Sequence, residues 1–269
     1  MSGFLTALAA VFNALFLIAA IYIYVSLIRQ IGARSGEAPA EGQRTFGLPE
    51  AVLGAALGTL FALNAAAATS QAGKLVLRTQ DLIANAVISI GLLLFVAAFL
   101  KIRGLSVVSL AGFSKVGFWR TLVTGGILLF AAYPLVFLAD LATRRFLGGD
   151  SSRQGIVELF NDSQTLQQRV MIIILAIAIA PLVEEFVFRF FLYGVVRRYL
   201  GRSVGLAANS MLFAAVHAHV PSAAPLFVLG ACFTVAYEWS GSILVPMAMH
   251  ALFNSLTLTA LAFPELLQQ

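Results

Sequence analysis

The chain has 269 residues, of which 60% are apolar and 11% charged, with a mean hydropathy of +0.94. Soluble domains are roughly 45–50% apolar and about 25% charged, so this composition argues against a water-soluble enzyme or a disordered protein. The formal charge is +5, but the basic residues lie mostly between long apolar runs, as topology signals do, and we expect no nucleic-acid partner. The single cysteine, Cys232, excludes an internal disulfide and a CxxC site.

Apolar runs long enough to cross a bilayer follow one another along the chain. A hydrocarbon core of about 30 Å needs about 20 mostly apolar residues in a helix. The runs at 4–28, 51–72, 82–100, 121–139, 170–196 and 241–263, with two more inside 203–237 that turn at His219–Pro221, make eight spans. They are too long for barrel strands and lack their alternation. The sequence therefore predicts an all-α, polytopic membrane protein with eight transmembrane helices.

Two features of these spans set the expected organisation. The first span lacks a basic leading region and exceeds the apolar length of a signal peptide, so we expect it to be retained. A polar segment from Arg144 to Arg169 separates the fourth span from the fifth. We expect residues 1–167 to form helices one to four with their loops, and residues 168–269 to form helices five to eight, in one integrated membrane domain.

The fifth span carries three charged side chains in the run PLVEEFVFR, which begins at Pro181. Each charge inside a span costs at least about 2.5–3.5 kcal/mol on insertion scales. Glu185 and Arg189 are four residues apart, so they share a helix face and can pair. Glu184 points about 100° away and has no oppositely charged partner in its own helix. A buried ion pair that fixes helix register would explain Glu185 and Arg189, but it would leave Glu184 unexplained.

Three more polar side chains lie in the later spans, His217, His250 and Asn254. A single histidine in a span often serves only as a hydrogen-bonding residue between helices. At 1.5 Å per residue, however, Glu184, His217 and Asn254 lie about 20 Å from one membrane face and His250 about 14 Å from it. We therefore expect these four groups, from three helices, to meet near the middle of the bilayer.

A carboxylate and two imidazoles at one depth are typical of general-base chemistry. Glu184 would take a proton from water, and His217 would hold that water or pass a proton to the leaving amine. His250 and Asn254 share a helix face and could donate hydrogen bonds to an oxyanion. The same residue types could bind zinc at Glu184, His217 and His250, but the compact HExxH spacing is missing. We expect no metal and no other cofactor, and zinc stays open as the alternative.

Three motifs in order give the chain a resemblance to a known family. Glu184-Glu185-x-x-x-Arg189, Phe213-x-x-x-His217 and His250-x-x-x-Asn254 resemble the signature motifs of the CPBP family, the CAAX proteases and bacteriocin-processing enzymes also called Abi proteins. The resemblance covers about residues 170–261, and every signature position is filled.

The resemblance implies an eight-helix intramembrane glutamic endopeptidase with a CAAX-protease-like bundle. Glu184 would activate the water, His217 would assist it, and His250 and Asn254 would form the oxyanion hole. Glu185, Arg189 and Phe213 would be supporting motif residues. The implied partners are a membrane-associated protein or peptide substrate and the lipid bilayer, in a bacterial inner (plasma) membrane. No feature selects a prenylated substrate, and the oligomeric state stays open.

Two other classes of protein compete with the peptidase. The first is a proton-coupled transporter, in which buried Glu and His residues form a relay. Carriers often have paired repeats with broken helices in corresponding positions, whereas the ionisable residues here cluster in the second half alone. The second is a catalytically silent member of the family that acts as a scaffold or an immunity partner. The complete set Glu184, His217, His250 and Asn254 argues against it.

Overall fold

The structure is a computed structural model that describes residues 2–34, 45–70, 79–147, 160, 163 and 165–263. The secondary structure of these residues is helical throughout. The helices are α1 (Ser2–Ala33), α2 (Leu48–Ser70), α3 (Thr79–Ile102), α4 (Val107–Leu110), α5 (Phe118–Leu147), α6 (Leu166–Val216), α7 (Ala223–Ser240) and α8 (Leu244–Ala262). Within the described ranges, seven helices, all but the short α4, are long and apolar enough to cross a membrane. The protein is a multi-pass integral membrane protein, as predicted.

The predicted fifth and sixth spans are joined in α6. Its continuity is interrupted at Gly201, whose φ of 83° and ψ of 172° belong to a region open essentially to glycine alone. Beyond this break the chain folds back on the preceding helix. This is shown by Gly205, which lies against the ring of Tyr193 and the backbone nitrogen of Arg197. We call residues 166–200 the long arm of α6 and residues 202–216 its short arm. The break lies between the predicted fifth span, which ends at residue 196, and the sixth, which starts at residue 203. The two arms correspond to these two spans, so the eight predicted spans differ from the seven helices only in counting the arms separately.

Other predicted boundaries are close to the observed ones. The expected turn at His219–Pro221 is present, and a single 3₁₀ turn, Val220–Ser222, leads from it into α7. The predicted end of the second span, at residues 71–72, lies outside the described residues. So does most of the polar segment, at residues 148–159, 161, 162 and 164. The division at residue 167 stays a prediction.

The long arm of α6 is the centre of the bundle. Every residue from Glu185 to Leu192 is buried, and the main apolar core forms around this stretch. By contrast, α1 exposes large apolar side chains such as Phe4 (74% exposed) and Tyr22 (73%). Large apolar side chains that point outward from a helix of this length suit contact with lipid. The outer helices thus face the bilayer, and the stretch Glu185–Leu192 of α6 is enclosed by its neighbours.

A close contact between two loops sets the start of α8. Gly241 ends α7 with a φ of 64°, and Gly112 follows α4 with a φ of 70°. A Cβ atom on Gly112 would lie 1.9 Å from the Gly241 carbonyl oxygen, so only glycine fits there. The N–H of Ile243 donates to the Ala111 carbonyl at 2.9 Å. The loop after α4 therefore holds the turn from which α8 carries His250 and Asn254.

Candidate active site

The long arm of α6 is irregular where the predicted site residues lie. Two π-helical segments, Leu175–Ile179 and Glu185–Leu192, flank a single α-helical turn, Ala180–Glu184. Pro181 lies in that turn and has no backbone N–H, so a regular hydrogen-bond ladder cannot continue through it. Widened turns of this kind are frequent at functional sites. Glu184 and Glu185 lie at the junction of the α turn and the second π segment.

Glu185 links α6 to α8 through a buried cluster of charged and polar groups. Its Oε1 lies 3.1 Å from Nη1 of Arg189, which confirms the predicted ion pair. The same oxygen accepts a hydrogen bond from Nδ1 of His250 at 2.8 Å. Glu185 and Arg189 are fully buried, and His250 is 4% exposed. The sequence predicted the contact within the helix, whereas the contact with α8 had no signal in the spacing of the residues.

Aromatic rings surround the Arg189 guanidinium. Its central carbon lies 4.0 Å from the ring centroid of Phe213 and 5.2 Å from that of Phe233. Among the described residues, none of its three nitrogens has a hydrogen-bond partner. Its charge is therefore stabilised by the Glu185 carboxylate and by ring faces. This contact gives Phe213 a supporting position. Phe233 also stacks on His250 with ring centroids 5.3 Å apart, and nothing in its apolar run singled it out.

Glu184 lies next to this cluster but is less buried and less engaged by other side chains than Glu185. Its side chain is half-buried, and Oε2 is buried with no hydrogen-bond partner in the described part of the chain. The Glu184 carboxylate interacts electrostatically with Arg189, but the ion pair of Arg189 is with Glu185. Oε2 of Glu185 also has no hydrogen-bond partner among the described residues, but Glu185 is fully buried, so Glu184 is the more accessible of the two carboxylates.

His217 ends the short arm of α6 in an orientation set by the backbone. Its Nδ1 lies 2.8 Å from the Phe213 carbonyl oxygen, and its ring centroid is 4.8 Å from that of Phe213. A carbonyl can only accept, so Nδ1 carries the hydrogen and Nε2 of the neutral ring keeps a lone pair. The next residue, Ala218, has a φ of 51°, a conformation that non-glycine residues rarely adopt. This strained position ends the helix at His217.

Asn254 connects α8 to the first π segment of α6. Its Nδ2 donates a hydrogen bond to the Ala176 carbonyl oxygen at 2.7 Å, and the side chain is half-buried. This bond uses one of the two amide hydrogens. Asn254 lies one turn beyond His250, so both side chains face α6 from the same side of α8.

The structure thus links several of the sequence-predicted residues to one another, and Glu184 adjoins them through its neighbour Glu185. Phe213 is the common neighbour, since its ring lies near Arg189, His217 and His250. Asn254 contacts the α6 backbone eight residues before Glu184. Across the described ranges, no three His, Cys, Asp or Glu side chains are grouped so that they could hold a metal ion.

The second half of the chain is similar to known proteins. Residues 166–256 match the family model described as type II CAAX prenyl endopeptidase Rce1-like. The chain is similar to the membrane-embedded CAAX protease MroQ of Staphylococcus aureus (strain USA300), with 30% identity over 98 residues. Those residues are 34% of this chain and 40% of that relative, so the match covers less than half of either protein. No solved structure matches the chain at a comparable level. The matched residues run from the start of α6 to Leu256 in α8 and include all three motifs, so this part of the chain is similar to the CAAX proteases.

Proposed function

We propose that the protein is an intramembrane endopeptidase that hydrolyses a peptide bond of a membrane-associated protein or peptide. The similarity of residues 166–256 to CAAX endopeptidases supports the reaction class. The observation that carries the proposal is the contrast between the two adjacent glutamates. Glu185 is fully buried and engaged by Arg189 and His250, whereas Glu184 is half-buried and forms no ion pair among the described residues. Glu184 is therefore the carboxylate available to activate water.

The first step in this mechanism is the removal of a proton from water by Glu184. The oxygen of that water forms a bond to the carbonyl carbon of the substrate, while its proton moves to the carboxylate. His217 supports the step through Nε2, which can accept the second hydrogen of the same water because Nδ1 is bonded to Phe213. The proton held by Glu184 then passes to the leaving amine as the C–N bond breaks.

The charge that develops on the substrate carbonyl oxygen needs hydrogen-bond donors. Asn254 has a second amide hydrogen beyond the one donated to Ala176. His250 can donate from Nε2 when both ring nitrogens carry a hydrogen, and its Nδ1 is held by Glu185. Donors held in place before the reaction lower the barrier because they need no rearrangement. Glu185, Arg189, Phe213 and Phe233 position the His250 ring.

An apolar groove supports a substrate that reaches the site from within the membrane. The groove has a volume of about 570 Å³ and lies between α5, α6 and α8. Its wall includes Pro181, three residues before Glu184, and Ala251, the residue after His250. Leu182 in the same wall is 45% exposed on the outer surface of the bundle. An apolar or lipid-modified segment of a membrane-associated substrate fits such a groove better than a soluble peptide does.

The proposed reaction needs no metal. Glu184, His217 and His250 do not form a three-ligand group in the described part of the chain. The carboxylate beside His250 in the structure is Glu185, which is already paired with Arg189. Zinc is the alternative that shares these side chains, and a chelator distinguishes the two.

Product analysis tests the proposed function. The purified protein in lipid vesicles is incubated with a library of membrane-anchored peptides, with and without a lipid group, and the products are read by mass spectrometry. Glu184→Ala is the control for catalysis. We expect cleavage at defined bonds by the wild type and none by the variant. Absence of any product with the folded wild type, or equal products with both proteins, would contradict the proposal.

A further inference from the structure

The Ala176 carbonyl in the first π segment has no in-helix donor. In an α-helix its partner would be the N–H of residue 180, and in a π-helix it would be the N–H of residue 181. The N–H of Ala180 donates instead to the carbonyl of Leu175, five residues earlier. Residue 181 is proline and has no N–H. Both helical partners of this buried carbonyl are therefore missing.

Asn254 supplies the missing donor. Its Nδ2 lies 2.7 Å from the Ala176 oxygen, a short and direct bond from α8 to the backbone of α6. A buried carbonyl without a donor costs free energy, so this bond is favoured as long as residue 181 cannot donate. The amide of Asn254 is thereby held in one orientation by a backbone atom and not by another side chain.

We propose that Pro181 is a positioning residue for Asn254: by withholding a backbone N–H, it leaves the Ala176 carbonyl free to orient the amide that donates to the oxyanion. The catalytic consequence rests on the proposed function. The placement of the amide does not, because it depends only on the hydrogen bonds of α6 and α8. Pro181 lines the apolar groove but carries no catalytic group, and its proposed effect on the oxyanion passes through Asn254.

Pro181→Ala restores the N–H and is the direct test. With a donor at residue 181, the helix can satisfy the Ala176 carbonyl itself and relax toward regular geometry. Asn254 then loses the hydrogen bond that orients its amide. Because proline is the least favourable residue inside a helix, the variant is expected to be at least as thermostable as the wild type. Pro181→Val, which has nearly the volume of proline and a backbone N–H, is a second variant with the same expected effect.

The kinetic readout separates positioning from general stability. We expect kcat to fall about tenfold or more in both variants, with KM within about twofold of the wild type. The double variant Pro181→Ala/Asn254→Ala should be no slower than Asn254→Ala alone, because both changes remove the same contribution. Pro134→Ala is the matched control, since Pro134 also lies inside a membrane helix, α5, outside the site described above. It should leave kcat and KM unchanged. Wild-type kcat in Pro181→Ala, or losses that multiply in the double variant, would overturn the proposal.

A second readout does not depend on turnover. In protein labelled with ¹⁵N-asparagine, the side-chain amide signal of Asn254 is assigned by its loss in Asn254→Ala. Its exchange with water should be about tenfold faster in Pro181→Ala than in the wild type or Pro134→Ala. Equal exchange in all three proteins would overturn the positioning role. A wild type that cleaves no peptide but shows this difference would contradict the proposed function alone.

Discussion

Neutralising Glu185 should destabilise the protein far more than the same change at its neighbour. Glu185→Gln keeps the size of the side chain and an oxygen that can accept from His250, so it isolates the loss of charge. Arg189 would then keep a full positive charge in a fully buried position, without the carboxylate that lies 3.1 Å away in the wild type. Removing one partner of a buried ion pair typically costs about 3–5 kcal/mol.

The surroundings of Arg189 place the expected cost in the lower part of that range. The ring faces of Phe213 and Phe233 remain, and Glu184 stays within range of the charge. We therefore expect a loss of about 3 kcal/mol and a fall in Tm on the order of 10 °C. Glu184→Gln, one residue away, removes no ion pair given by the structure and should cost less than about 1 kcal/mol. Thermal unfolding of the purified variants in detergent measures both.

A compensating variant makes this reasoning refutable. Replacing a buried ion pair with apolar residues is often neutral or stabilising, so Glu185→Gln/Arg189→Met should recover most of the lost stability. If Glu185→Gln unfolds at the wild-type temperature, Arg189 does not depend on this carboxylate. If the double variant is no more stable than Glu185→Gln alone, the loss comes from something other than an unpaired charge.

Three further predictions follow from the site and the fold. Asn254→Ala should lower kcat about 10²–10³-fold if its amide stabilises the oxyanion, and His217→Ala should lower kcat at least about 10²-fold. Both are measured by steady-state kinetics on a cleaved peptide, and a wild-type kcat in either variant would exclude the catalytic role of that residue. Treatment with EDTA or phenanthroline should leave turnover unchanged, whereas stoichiometric zinc that is lost and restored together with activity would establish the metal alternative. Gly112→Ala should destabilise the protein by about 2–5 kcal/mol, because the new Cβ lies 1.9 Å from the Gly241 oxygen at a φ of 70°. Gly126→Ala, which has open space around it, should unfold at or above the wild-type temperature, and equal stability of both variants would refute the close contact.

The sequence predicted those parts of the fold that depend only on the order of apolar and polar residues along the chain. Membrane helices need about 20 consecutive apolar residues, and such runs can be counted directly. The geometry of the break at Gly201, where the two arms of α6 fold against each other, could not be counted in this way. It depends on the φ and ψ of one glycine, and an isolated glycine between two apolar runs is equally compatible with a loop.

Within the site, contacts along one helix were predictable and contacts between helices were not. The pair of Glu185 and Arg189 follows from a spacing of four residues. The contact between Glu185 and His250 joins residues 65 positions apart in the chain, and their order along the sequence does not specify it. The acceptor for Asn254 is a backbone carbonyl, which every residue carries. Its only signal in the sequence was Pro181, five residues further on, whose effect depends on π-helical geometry.

The most direct test of the central claim is the rate of peptide hydrolysis by Glu184→Gln relative to the wild type. Both proteins are reconstituted in vesicles with the same cleaved peptide and a chelator, and their thermal unfolding is matched beforehand. If Glu184 is the base that activates water, the variant should fold like the wild type and hydrolyse the peptide at least about 10²-fold more slowly. Hydrolysis by the folded variant at a rate close to that of the wild type would contradict the assignment of Glu184.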